Sequence, residues 1–442
     1  MKKLVLILVS LLALFVGFYL FLSQKNSINF KKLIFPWKYI QAYEKEAIEV
    51  RRDELIRDEL DIKENLTNLH FYKIEKEQLL SKKLSLVKFM GDSKLMVGIY
   101  RLTPGSFYLS NNDKSIYLTS SIGITAYGTI DEHTITLKQI KNNLGEFINL
   151  KQFRKAGLSN KFSIKDSQII DKKIYITLTK EVEKDCWNIT LLSSNLNNNY
   201  LNFEEVFSPK QCVNSKKDII AFNSHSSGGR TTDLDEDHVL LSIGDFGYLD
   251  LPQDKNSIFG KVLKVNKFKK NNYEIISMGH RNPQGLYYDK KENLIIETEH
   301  GPFGGDEINL IDPFKRYQNF GWPIASYGEH YGYPDDIERI KPLYKKYPLL
   351  KSHSNNNFIE PLKYFVPSIA ISQITKIDDL TYALASLKQK SLYIVKLNKK
   401  NEISNIQEFK VKERIRDIIF FQGSLYLSLE DTASIGYIDI SN

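Results

Sequence analysis

Cysteine is nearly absent: Cys186 and Cys212 are the only two in 442 residues. That excludes a scaffold stapled by many disulfides, and two thiolates alone cannot complete a tetrahedral zinc site. Collagen-like and disordered compositions are missing too, because 42% of the residues are hydrophobic and 26% charged, the balance of a chain that buries a core. The formal charge of +8 is spread along the chain, with no basic tail and no basic helical stripe. Nucleic acid is therefore excluded as a partner.

One hydrophobic run breaks this texture. In "MKKLVLILVSLLALFVGFYLFLSQKNS" the nineteen residues from Leu4 to Leu22 carry no charge. A signal-peptide core takes roughly 7 to 15 residues and a bilayer crossing about 20, and no small-x-small cleavage site follows. An uncleaved transmembrane anchor over residues 1–24 is the expectation, with a removed signal as the alternative. Lys2 and Lys3 keep the N-terminus in the cytoplasm. The bulk of the chain then lies outside, anchored to the inner membrane and facing the periplasm, or secreted if the segment is cleaved. In such an oxidising compartment Cys186 and Cys212 can pair, since the stretch between them reads as two strands around an Asn-rich turn. A disulfide is expected, and two buried thiols are the alternative.

Pro36 can start a helix, and apolar residues at Ile40, Tyr43, Ala47 and Val50 continue it amid alternating charge. Residues 25–70 therefore read as a helical stalk, or as a helix packed on the main domain. From about residue 71 to 442 short β-branched and aromatic strands alternate with Asn, Asp, Lys and Gly turns. One unit recurs, a polar turn followed by a strand: "DKSIYLTSS", "DKKIYITLT", "EDHVLLSIG", "KENLIIETE", "DDLTYALAS" and "FQGSLYLSLE". Their starts lie 43 to 87 residues apart, which suits a four-stranded blade plus loops. The expected fold is all-β, a six-bladed β-propeller of four-stranded antiparallel blades. A β-sandwich accommodates so many similar hairpins poorly.

In an antiparallel meander, the residues that enter one strand and those that leave the next lie at the same end of the sheet. That rule collects His225, Arg230, Asp245, Arg281, Asn282, Gln284, His300, Gly301, Pro302, Lys388, Arg414, Arg416 and Asp431 on one face. So many cations facing one cavity require acidic partners or an anion among them, and a polyanionic ligand is the simplest reason for the ring. Gly301 brings backbone close and Pro302 has no N–H, so their carbonyls suit a hard cation such as Ca²⁺, while Asp306 and Glu307 are candidates for a second cation. Asp245, in "SIGDFG", reads as turn chemistry.

The stretches "GHRNPQGL", "TEHGPFGGDEINLI", "NFGWP", "VPSIA", "SLKQKSLYIVKL" and "RIRDIIF" resemble, in order, the signatures of the soluble quinoprotein glucose and aldose sugar dehydrogenases, the glucose/sorbosone dehydrogenase family. The resemblance implies a propeller that binds pyrroloquinoline quinone (PQQ) and Ca²⁺ and oxidises an aldose at its anomeric carbon to the lactone. It assigns His225 as general base and Arg281 as the group that polarises the accepting carbonyl. Asn282 and Gln284 contact the cofactor, Lys388, Arg414 and Arg416 grip its carboxylates, and Gly301 and Pro302 give carbonyls to Ca²⁺. Asp306 and Glu307 fall where the family places structural Ca²⁺. Electrons would pass to a periplasmic or membrane acceptor, a cytochrome or a quinone. In "SHSSGGR", Ser224 stands where the family pattern carries Asp. A non-catalytic ligand- or protein-binding propeller is the alternative reading, and a Ca²⁺ lactonase ranks last because it would want carboxylates at the centre.

Overall fold

The computed structural model describes residues 61–74, 77–81, 84–91, 107–148, 163–216 and 222–440. The expected anchor over 1–24 and most of the helical stalk lie outside them. Among the described residues no helix is long and apolar enough to cross a membrane. Residues 61–65 are helical, and this end of the stalk packs on the β-rich body: Ile62 joins a core cluster, and the side-chain amide of Gln139 donates to the carbonyls of Ile62 and Thr67.

Strands that are neighbours in sequence are neighbours in space, because short polar turns return each strand antiparallel beside the last. The first meander runs Phe107–Asn111, Ile116–Ser120, Thr125–Ile130 and Thr134–Asn142. The second is Ile164–Ile170, Lys173–Glu183, Cys186–Asn195 and Glu204–Phe207, and a Cys186–Cys212 disulfide ties it to the segment that follows. A third holds Gly228–Asp233, His238–Ile243, Lys261–Asn266 and Tyr273–Met278. Pro283–Asp289, Leu294–Glu299, Asp306–Ile311 and Lys363–Phe365 make the fourth, interrupted before its last strand by an insertion that carries the helix Ile337–Lys346. The fifth is Ile371–Asp378, Thr381–Ser386, Ser391–Leu397 and Ile403–Lys410. The last has three C-terminal strands, Ile415–Phe421, Ser424–Leu429 and Ser434–Asp439, and borrows its fourth, Ser85–Gly91, from before the first meander.

Each repeated unit of the sequence falls on the second strand of a meander. The borrowed strand was not legible as such, because its partner lies more than three hundred residues away, as in the pairing of Phe89 with Ile435. Leu69–Lys73 then pairs with both Ser85–Gly91 and Thr134–Asn142, so the last and first sheets fuse into one. First strands pack in cyclic order, each against the next and the last against the first, which closes an all-β, barrel-like ring.

Core lies between facing sheets. Ile296 and Ile308 of the fourth meander, for example, meet Ile371, Ile374 and Leu384 of the fifth, all almost fully buried. Full burial of each such side chain contributes roughly 1.5–3 kcal/mol. The pairings Gly228 with Ile243, Pro283 with Glu299, Ile371 with Ser386 and Ile415 with Leu429 set the start of each first strand beside the end of the second. The polar residues that flank these pairings therefore share one end of the ring.

Candidate active site

Arg230 sits where the first strands converge and is 1% exposed. Its guanidinium donates to Asp166 (3.0 Å), to Asp417 (2.8 Å), and to the carbonyls of Gln284 (2.7 Å) and Arg416 (3.0 Å). It also lies 5.1 Å from the ring centre of Tyr108. One planar fork thus touches four other meanders, and the carboxylates extend the junction by accepting the backbone N–H groups of Thr231 and Leu109. Burial pushes Asp417 up to about 6 against the opposing pull of Arg230. Arg230 belongs to this junction and not to a ligand-binding ring.

Around the junction, residues of the third and fourth meanders interlock. The Arg281 guanidinium donates to the carbonyls of Gly301 (2.6 Å) and His300 (3.1 Å) and lies 5.6 Å from the rings of Trp322 and Tyr331. Trp322 is held in turn, its indole N–H donating to buried Asp245 (2.9 Å). Asp245 also accepts from Ser226 and from the backbone of Gly247, so it does make the expected Asp-x-Gly turn while bracing the site. Burial raises its pKa, and Arg281 opposes that rise. The Asn282 carbonyl oxygen of the side chain accepts from Gln284 (2.9 Å) and from the N–H of Gly228 (3.1 Å), which ties the "SHSSGGR" loop to the "GHRNPQ" stretch.

His300 is one of the residues that the sequence gathers on the shared face. In the fold its Nε2 is buried without a well-formed hydrogen bond, and its pKa falls to about 4: burial disfavours the imidazolium and Arg281 and Arg416 repel it, against the pull of Asp306 and of the Ile371 backbone. Its neighbour Gly301 gives its N–H to Asp306, whose carboxylate also accepts from Ser368 (2.6 Å). Asp306 and Glu307 face opposite sides of their strand, as alternation requires. Glu307 instead lies 3.5 Å from His353, so the two carboxylates do not grip one cation together.

The cations of the last meander have acidic partners inside the chain. Glu430, fully buried, accepts from Arg414 (2.7 Å) and from Arg416 (2.9 Å). Asp431 accepts from Lys390 (2.7 Å) and from the N–H of Arg414 (3.1 Å). Lys388 is exposed at the same end, its N–H donating to the carbonyl of Ile369. His225 is half-buried, in a turn closed by its own N–H donating to Asn223.

Lys165 is a functional candidate that the motifs passed over. Its ammonium is 3.4 Å from the carbonyl of Ser224, beside His225, and burial, helped by Arg416, pushes its pKa down to about 7. Gly229 permits the approach: at φ +106° it has no Cβ, which would otherwise meet Lys165 Cβ at 2.5 Å. The only available sequence signal was the Lys165–Asp166 pair at the head of an apolar strand, and nothing in it tells which way either side chain points.

The sequence profile of the family described as Glucose / Sorbosone dehydrogenase matches residues 138–435. The chain belongs to that family. Among curated relatives, it is 34% identical over 116 residues to the aldose sugar dehydrogenase of Escherichia coli, covering 24% of this chain and 30% of that one. It is also 34% identical over 139 residues to quinoprotein glucose dehydrogenase B of Acinetobacter calcoaceticus, covering 25% and 28%. The chain spans half or less of the length of the curated relatives it matches. The fold resembles that of the PQQ-bound aldose sugar dehydrogenase of Streptomyces coelicolor, with a TM-score of 0.54 at 17% identity over 81% of this chain and 99% of that one.

Proposed function

We propose that the chain is a PQQ- and Ca²⁺-dependent sugar dehydrogenase that oxidises an aldose at its anomeric carbon to the lactone. The carrying observation is the convergence of Arg281, His300, Arg416 and the His225 turn at one end of the ring, with the buried His300 ring held neutral by burial and by both guanidinium groups. Two guanidinium groups facing a neutral buried imidazole favour an anionic ligand, and a planar polycarboxylate quinone suits that charge. The Gly301 carbonyl, already turned to a cation in Arg281, and the Pro302 carbonyl suit Ca²⁺. When bound, PQQ supplies a two-electron acceptor and Ca²⁺ a Lewis acid beside it.

In this reading His225 holds the proton leaving the anomeric hydroxyl, a task for which an imidazole near neutrality is suited. Arg281 stabilises negative charge that develops at the acceptor, Asn282 and Gln284 orient it, and Lys388, Arg414 and Arg416 hold its carboxylates. The ring is a six-bladed propeller. Residues 1–24 anchor it to the inner membrane with the propeller in the periplasm, where an oxidising environment suits the Cys186–Cys212 bond and a cytochrome or quinone can collect electrons. Adding PQQ and Ca²⁺ to the protein, then an aldose and a dye acceptor, should give dye reduction that His225→Asn lowers by about 10²–10⁴-fold. No reduction with any aldose would refute the reading.

A non-catalytic binding propeller is the second reading. It is favoured by Glu430, which already pairs with both Arg414 and Arg416, and by Ser224 in place of the family's Asp.

A further inference from the structure

The fourth meander buries a second polar cluster on the face opposite Asp306. Glu297, Glu299 and Asn309 come from its paired strands, and His280 reaches them from just past the last strand of the third meander, Tyr273–Met278. All four are at most 3% exposed. His280 Nδ1 is 3.1 Å from Glu299 and 3.7 Å from Glu297, and the ligand atoms of these three residues lie within 4.8 Å of one another. His280 is oriented from behind: its Nε2 meets Ser277 Oγ at 2.8 Å, and its ring stacks on Phe320.

Two buried carboxylates beside a third, Glu307, form no ion pair with any lysine or arginine among the described residues. Instead the single amide nitrogen of Asn309 faces all three, at 3.0, 3.1 and 3.4 Å. Two hydrogens cannot serve three acceptors. Two oxygens go unmet as well, Glu297 Oε1 and Asn309 Oδ1, both on fully buried residues. A turn of the Asn309 amide by 180° would exchange its nitrogen for that unmet oxygen, aimed at the same point. Buried charge of this kind demands a compensating positive charge, which is either a shared proton or a metal ion.

We propose that His280, Glu297, Glu299 and Asn309 form a binding site for a first-row divalent cation of the Mn²⁺ or Zn²⁺ type. An imidazole nitrogen with two carboxylates and an amide oxygen suits such ions better than Ca²⁺, which prefers oxygen alone. Ser277 supplies the outer hydrogen bond that fixes the imidazole. The site joins the third and fourth meanders beneath Arg281, whose own N–H donates to Glu299 at 2.5 Å. It is independent of the sugar-oxidising reading.

The test uses the full chain, stripped with chelator and kept free of quinone, titrated separately with MnCl₂ and ZnCl₂ and analysed for metal after desalting. One equivalent of one of these ions should be retained in the presence of millimolar Ca²⁺ and should raise the unfolding temperature. Glu297→Gln, nearly isosteric, should weaken binding at least a hundredfold, and His280→Gln serves the same purpose if the first variant fails to fold. Retention of neither ion by the unaltered protein overturns the proposal and leaves the proton as occupant. Equal retention by a folded variant overturns it too, as does displacement by Ca²⁺.

Discussion

At the residue scale, Arg230 shows how a single side chain can organise the centre of a closed fold. Its two carboxylate partners are fully buried, so removing the cation strands both. Arg230→Met should destabilise the protein by about 3–5 kcal/mol in chemical denaturation, the cost of breaking a buried pair by deleting one partner. Lys165 makes the opposite prediction. Its pKa lies near 7 in the fold against 10.5 as the ordinary value, so between those limits the unfolded chain holds the extra proton. Stability should therefore rise as pH goes from about 7 to 10, and Lys165→Met should flatten that rise while gaining most at or below pH 7. Thermal unfolding across that pH range decides it; a rise of equal size in Lys165→Met would remove Lys165 as its source.

Elements carry the next layer of argument. The hairpins were legible because turn residues and β-branched runs recur, and because alternation fixes which side chains share a face. Thus "GHRNPQ" and "EHGPFGGDE" do meet at one end of one sheet, through the pairing of Pro283 with Glu299. Alternation also explains a separation that adjacency in sequence hides, that of Asp306 from Glu307. Partners across sheets were not legible: Glu430 sits in an ordinary strand end, yet it governs Arg414 and Arg416. Glu430→Gln should weaken the positioning of both arginines; under the proposed function it should raise the quinone concentration needed for half-maximal activity by about tenfold. The Cys186–Cys212 bond closes a loop 26 residues apart in sequence, so replacing both cysteines with serine should cost about 3 kcal/mol, read from denaturant midpoints.

For the whole molecule, closure is the decisive event. The last meander is complete only when Ser85–Gly91 pairs with Ser434–Asp439, a contact between the two ends of the described chain. A chain that starts at residue 107 should lose this strand and unfold less cooperatively, with a lower midpoint and a broadened transition in calorimetry. Ring closure also brings Tyr108, Asp166, Gln284 and Asp417 to Arg230 from four separate stretches of sequence.

Local chemistry alone determined the all-β texture, the hairpin registers, the shared end on which polar residues gather and the pairing of the two cysteines' segments, because turns, alternation and β-propensity act over a few residues. Which cations are paired within the chain, which carboxylates are left to seek a counter-charge, and which histidine is buried and held neutral were settled by the tertiary structure. Those properties depend on desolvation and on groups brought together from distant strands, and neither is encoded in any short stretch of sequence.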